Sequence, residues 1–445
     1  AHGKKSASDK RKAVAAAVVA AGALMASSGA EADVRLGGSA VNITPDGTYN
    51  GSNRNVGVNS VVVGYQNTAS SQDGTIAYGA NNIADKNASL AVGNNNQATG
   101  GASTAMGVSS IASGEASVAI GNVAQATQIR TTAIGNRAIA SEDSATAYGN
   151  RANATALRAT AIGSEANAVD YDATAVGSKA KAMVAASVAV GNNATASEQS
   201  AIAVGQNAGA NSINAISIGV NTTATANHAL AMATDAKATG VQSVGIGSYS
   251  NASADSTVAL GQNAKAGGTG AGTAAVAVGY LADASAANTV ATGKSAAASV
   301  DNAVAVGVQS NASARAATAL GGYSAASAER ATAVGAASKA SGTASFAGGT
   351  AANAAGTNSV AIGGSMTATE GAKAVGNNSI AVGSKSNAQQ AADVAVGYGA
   401  QADGTSTGSD GDGVVNNAGS AMAIGTNAQA TGIVATAIGQ RSQAL

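Results

Sequence analysis

The sequence predicts an all-β protein, a solenoid whose coils repeat every fourteen residues, and three observations predict it. A marker glycine recurs at Gly93, Gly107, Gly121, Gly135, Gly149, Gly163, Gly177, Gly191, Gly205 and Gly219 without a slip in spacing. The residues before it alternate between apolar and small, as in Ser117-Val118-Ala119-Ile120-Gly121, which is the period of a short strand. Alanine then recurs at alternate positions after it: Ala124 and Ala126, Ala138 and Ala140, Ala152 and Ala154, Ala166 and Ala168. A fixed period this short belongs to stacked coils and not to a globular domain.

Each unit reads as two short strands and two turns. The first strand carries the apolar pair, Val118 and Ile120 in one copy, Thr132 and Ile134 in the next. The glycine turns the chain, because a residue able to take positive φ is wanted there. The Asn or Ser that usually follows it (Asn122, Asn136, Ser164, Ser178, Asn192) is a turn former too. A coil made of two strands of about five residues encloses almost no volume. Its facing side chains must therefore be small, and the alanine column is read as a packing demand. A helical reading of the same alanines fails, since a glycine every fourteen residues would cost a helix about 1 kcal/mol each.

In chain order, residues 1–32 have the layout of a secretory signal. Lys4, Lys5, Lys10, Arg11 and Lys12 precede an apolar, alanine-rich run over 13–26, and Ala30-Glu31-Ala32 offers a small-residue exit. The apolar run is short for a membrane span. Residues 33–59 are polar and irregular, with the only proline in Thr44-Pro45-Asp46-Gly47, and are expected to cap the first coil, whose edge needs protection. Repeats fill 60–445. Val61-Val62-Val63-Gly64 opens them, Ile76-Ala77-Tyr78-Gly79 follows one residue out of step, and from Gly79 the period locks.

Three irregularities are expected to form loops or a degenerate coil. Gly261 and Gly279 stand eighteen apart, with the extra residues in 267–272. Gly363 and Gly383 stand twenty apart, with an insertion expected near 369–376. Gly397 and Gly425 stand twenty-eight apart, two full periods, so a degenerate unit is expected near 403–417. The last unit, ending at Gly439 and Ala444, is a normal repeat, so the chain is expected to be part of something longer. About twenty-seven rungs at about 4.8 Å would make a rod of roughly 130 Å.

The units Ser117-Val118-Ala119-Ile120-Gly121, Ser187-Val188-Ala189-Val190-Gly191, Asn358-Ser359-Val360-Ala361-Ile362-Gly363 and Asn378-Ser379-Ile380-Ala381-Val382-Gly383 resemble the head repeats of trimeric autotransporter adhesins, the YadA-like surface proteins of Gram-negative bacteria. The resemblance covers roughly residues 60 to 445. It implies a left-handed parallel β-roll in each chain, three chains side by side as a homotrimer, exposure on the outer-membrane surface, and attachment to host matrix, cells or other bacteria. The heptad stalk and anchor barrel of that family have no counterpart in these residues.

The residues themselves leave one question open. If the alanines fill the coil, the columns Val118 and Ile120, Val188 and Val190, Ile202 and Val204 point outward and make an aliphatic stripe that demands a partner. With the opposite facing, alanine would sit between chains. Either way thin coils bury little apolar area alone, and association would supply what one chain lacks.

Chemistry is sparse. Basic and acidic residues balance at 23 each, aromatics are 2%, and tryptophan and cysteine are absent. Nucleic acid is therefore not an expected partner, and neither disulfides nor thiolate zinc sites arise. His2 and His228 are the only histidines, too few for a triad or a histidine metal cluster. No cofactor, metal or catalytic residue is assigned, and Ser and Thr are read as turn and surface residues. Asp410-Gly411-Asp412-Gly413 alternates oxygen ligands like a calcium loop but lacks the further carboxylate, so it is read as a flexible acidic loop. Ligand-binding residues are left unassigned, because contacts on a repetitive surface are spread over many positions. Besides an adhesin head, two readings stand: a passive spacer or filament subunit, and an ice-binding solenoid, for which Thr132, Thr146, Thr160 and Thr174 form one column that reverts to Val188 and Ile202.

Overall fold

The computed structural model describes residues 60–70, 74–267, 274–365, 367, 370–404 and 420–445, with the backbone of strands Asp33–Gly37, Ala40–Thr44 and Arg54–Asn55. The signal-like residues 1–32 and the Asp410-Asp412 loop lie outside them. The coils fall into two compact units, Ala1–Ala210 and Asn211–Leu445.

Within each unit every coil contributes one strand to each of two parallel sheets. In the first unit Val118, Thr132, Thr146, Thr160, Thr174, Val188 and Ile202 succeed one another in register along the first sheet. Gln125, Ile139, Asn153, Asn167, Lys181 and Thr195 do so along the second. The second unit repeats the pattern, with Val276, Val290, Val304, Thr318 and Thr332 in one sheet and Ala297, Asn311, Ala325 and Lys339 in the other. Main-chain bonds tie each coil to the next: Val118 N–H donates to Thr131 O at 2.9 Å and Gln125 N–H to Ala138 O at 2.8 Å.

The interior settles which face is which. Ala119, Ala124 and Ala126, and their equivalents along the chain, are fully buried, whereas Val118 and Ile120 are half-buried on the outside. Two sheets this close leave room for a methyl group, so the core is a stack of alanines. The hydroxyls read from sequence as turn and surface residues are in part interior. Ser117 Oγ donates to Gly114 O and Thr131 Oγ1 to Gln128 O, each at 2.7 Å, satisfying the carbonyl that opens the second turn.

Three residues per coil take positive φ, and only one is the marker. Gly135 has φ 138°, while Arg137 and Ser144 have φ 55° and 61°. Each of the three points its N–H backwards: Gly135 to Ile120 O and Arg137 to Asn122 O at 2.8 Å, Ser144 to Ile129 O at 2.9 Å. These bonds offset the cost of a left-handed side chain. Ala233 holds a marker position at φ 91° and keeps the bond, to Ile218 O at 2.8 Å.

The irregular stretches depart from expectation in two ways. Residues 33–59, expected to be irregular, contain an antiparallel hairpin of Asp33–Gly37 with Ala40–Thr44, and the second strand joins Val61–Val63 in parallel. The residues added before Gly383 lie between Gly363 and Lys373, overlapping only the start of the expected span 369–376, because Lys373 and Ala374 pair with Asn353 and Ala354. Across the degenerate unit expected near 403–417, of which 405–417 lie outside the described residues, Val394 pairs directly with Met422 and Gln401 with Gln429. Likewise Val258 pairs with Val276 across the 267–272 insertion.

This arrangement predicts unequal sensitivity along one coil. A Cβ on Gly177, at φ 129°, would lie 2.5 Å from Gly191 O, so Gly177→Ala should cost at least about 2 kcal/mol in denaturant melts. Ala175→Leu should cost about 1–3 kcal/mol by overpacking, and the outward Thr174→Val should stay within about 0.5 kcal/mol. Equal effects at 174 and 175 would show the faces to be assigned the wrong way round.

Candidate functional surface

With the core sealed by methyl groups, whatever this protein does must be done on its outside. In the first unit the first sheet presents two aliphatic columns, one through Val188 and Ile202 and one through Val190 and Val204, all half-buried in the single chain. The threonines Thr132, Thr146, Thr160 and Thr174 continue the first of these columns in register. The second sheet presents a polar column instead: Asn153, Asn167, Lys181 and Thr195 in the first unit, Lys339, Asn353, Lys373 and Asn387 in the second. One face thus calls for cover and the other suits water.

Two irregular stretches are pinned to this scaffold by side chains the sequence reading did not single out. Asp393 stands where other coils carry Ala, Ser or Thr, and is fully buried. Its Oδ1 accepts from Ser420 N–H at 3.1 Å and Ala421 N–H at 2.9 Å, and its Oδ2 from Gln390 N–H at 2.8 Å and Gly404 N–H at 3.2 Å. One carboxylate therefore ties Gln390 and Gly404 to Ser420 and Ala421. In the other insertion, Lys385 Nζ lies 2.9 Å from Glu370 Oε1 and 5.4 Å from the centre of the Tyr398 ring, while Ser365 Oγ donates to Glu370 Oε2 at 3.1 Å. The Lys385 hydrogen bond, aided by Thr367 and Ser365, holds the Glu370 carboxyl down to about 2, and Glu370 in turn holds the Lys385 ammonium above its ordinary range.

A third unforeseen element lies inside the first coils, as a ladder of buried amides. Asn82 Nδ2 and Asn96 Nδ2 each donate at 2.9 Å to the Oδ1 of the asparagine one coil earlier, Asn67 and Asn82 respectively. Asn96 Nδ2 also reaches Gly107 O at 2.7 Å, and Ser110 N–H closes the series on Asn96 Oδ1 at 3.0 Å. First-sheet strands here are five residues long, as in Leu90–Asn94, against three from Thr132–Ile134 onward. The only signal in the sequence was the recurrence of Asn where later coils have Ala.

The chemistry-bearing residues stay dispersed. His228 is exposed on a turn, and among the described residues no three His, Asp or Glu groups lie together as a metal site.

Two measurements check the anchors. Asp393→Ala leaves buried N–H groups without acceptors and should cost about 1–3 kcal/mol, with faster hydrogen exchange at Gly404, Ser420 and Ala421; unchanged exchange there would refute the clamp. Because the Glu370 carboxyl is lowered on folding, its contribution to ordering the insertion is complete above pH 4.5 and lost as pH falls through about 2. Limited proteolysis between Gly363 and Lys373 should rise over that window, and Glu370→Gln should show the open pattern at neutral pH.

Comparison with known families agrees with this geometry. The family model of the YadA head domain repeat matches fourteen segments between residues 56 and 442, among them 56–82, 84–110, 126–152, 154–180, 326–350 and 417–442, well over half of the chain. Residues 271–300 fall outside the matches, yet Val276, Val290 and Val304 keep the register there. No curated protein shows a significant match to the chain. The family points to an adhesin-type role on the cell surface, generally without catalysis. By the period, the parallel coils and the matched repeats together, the chain belongs to the YadA head domain repeat family, the heads of trimeric autotransporter adhesins.

Proposed function

We propose that this chain is the binding head of a bacterial surface adhesin, working as three parallel copies that attach the cell to host matrix, host cells or other bacteria. The observation that carries the reading is the division of its outer surface. The aliphatic columns through Val188 and Ile202 and through Val190 and Val204 run along one sheet, and burying them between copies removes apolar area from water. That leaves the polar columns of the second sheet and the two anchored insertions as the surface offered to a ligand. Binding then comes from many modest contacts repeated along the stack. Export through the 1–32 leader fits the same reading.

The test has two parts. Sedimentation of the purified chain should give three times the chain mass, and immobilised collagen, fibronectin or cultured cells should bind it saturably. Deleting residues 405–419 or 364–371 should lower the binding several-fold while leaving the sedimentation unchanged. A chain that sediments as three copies but binds no matrix protein or cell would be a spacer and not an adhesin head.

A further inference from the structure

Each coil has two edges. One holds the residue after the marker glycine and the left-handed residue beyond it; the other holds the second turn. Both flank the same strand of the first sheet, so each strand has one edge residue at either end, level with each other. Along three successive coils those ends carry opposite charges. Glu142 and Asp143 stand at one end of Thr146–Tyr148 and Arg151 at the other; Arg158 and Glu165 flank Thr160–Ile162; Asp170 and Asp172 stand opposite Lys179 across Thr174–Val176. Within one chain a strand separates the members of every pair. Among the described residues Arg151, Glu165 and Lys179 make no ion pair, while Arg158 holds Asp172 through two hydrogen bonds of 2.6 Å on the second edge.

We infer that these two edges meet between adjacent copies of this chain, each copy's Arg151, Glu165 and Lys179 facing the next copy's Glu142-Asp143, Arg158 and Asp170-Asp172. The inference rests on the side-by-side assembly proposed above and adds its register and its contacts. In a ring of parallel copies whose first sheets face the axis, the edges that meet are those at the two ends of the same first-sheet strand, at equal height. The signs then alternate as +, −, + against −, +, −, and the Arg158–Asp172 pair becomes the middle of a longer charged ladder. Were the second sheet to face the axis, the ends of a second-sheet strand would meet. Arg151 would then face Arg158 and Glu165 would face Asp172, two like-charged oppositions. Charge thus selects the same inward face that the aliphatic columns select, from different residues.

Further positions agree. Leu157 and Tyr171, between the charges of the second edge, are 42% and 47% exposed in the single chain and would be covered. In the second unit Asp235 falls opposite His228, and Tyr323 opposite Arg315, a cation over a ring. Arg137 falls opposite Arg130, the one like-signed pair among the described residues.

The chain has no cysteine, so paired substitutions read the register directly. The two ends of a strand lie more than about 15 Å apart in one chain, beyond the reach of an internal disulfide. On oxidation, Asp143→Cys with Arg151→Cys, and Arg158→Cys with Glu165→Cys, should each give a covalent species of three chain masses on a non-reducing gel. Arg151→Cys with Arg158→Cys should remain single chains. Cross-linking of that last pair, or of none, in a protein that still sediments as three copies would overturn the register and leave the assembly standing. Sedimentation of the unsubstituted chain as a single copy would overturn both.

Discussion

Two sheets separated by little more than a methyl group impose the remaining features of this structure. Because nothing larger than alanine fits between Ala119, Ala124 and Ala126 and their neighbours, the coil has no conventional hydrophobic core. Its cohesion comes from the main-chain ladder and from close contact of many small groups. Larger apolar side chains have only the outside left to them. The aliphatic columns of the first sheet are therefore a direct consequence of the slender interior.

The same constraint governs polar groups. A buried hydroxyl is tolerated where it can reach a turn carbonyl, as Ser117 and Thr131 do. A buried amide is tolerated where it can be stacked on its own kind, as in the Asn67, Asn82 and Asn96 ladder. Such a ladder is satisfied only when the asparagines stand in step, and it marks the coils where the fifteen-residue spacing between Gly64 and Gly79 gives way to fourteen. Among the described residues a fully buried carboxylate occurs once, at Asp393, where four N–H groups converge on it.

A repeat of this kind is suited to presenting surface. Contacts run between neighbouring coils, so residues can be inserted between coils without disturbing those on either side. Val394 still meets Met422, and Val360 still meets Ile380. Variation is consequently free on the second sheet, the edges and the excursions, and restricted inside. Arg158 meets Asp172 within the chain, while Arg151, Glu165 and Lys179 stand on the other edge without an ion pair among the described residues.

The period, the two strands per coil and the turn at the marker glycine were all legible in the amino-acid sequence, because each follows from local sterics repeated many times. The remaining features required distances between residues far apart in the chain. Alternation alone could not say whether Ala119 or Ile120 faces inward; that depends on how closely the second sheet approaches. The left-handed turns at Arg137 and Ser144 carry no type signal, since the ladder imposes them on whatever residue stands there. Gly397 and Gly425 stand two periods apart, and only the pairing of Gln401 with Gln429 shows which coils meet across that stretch. Asp393 looked like one more acidic residue until folding brought Gly404 and Ser420 beside it. Local sterics determine the coil; the meeting of distant backbones decides what faces outward, and what is left there for another molecule to bind.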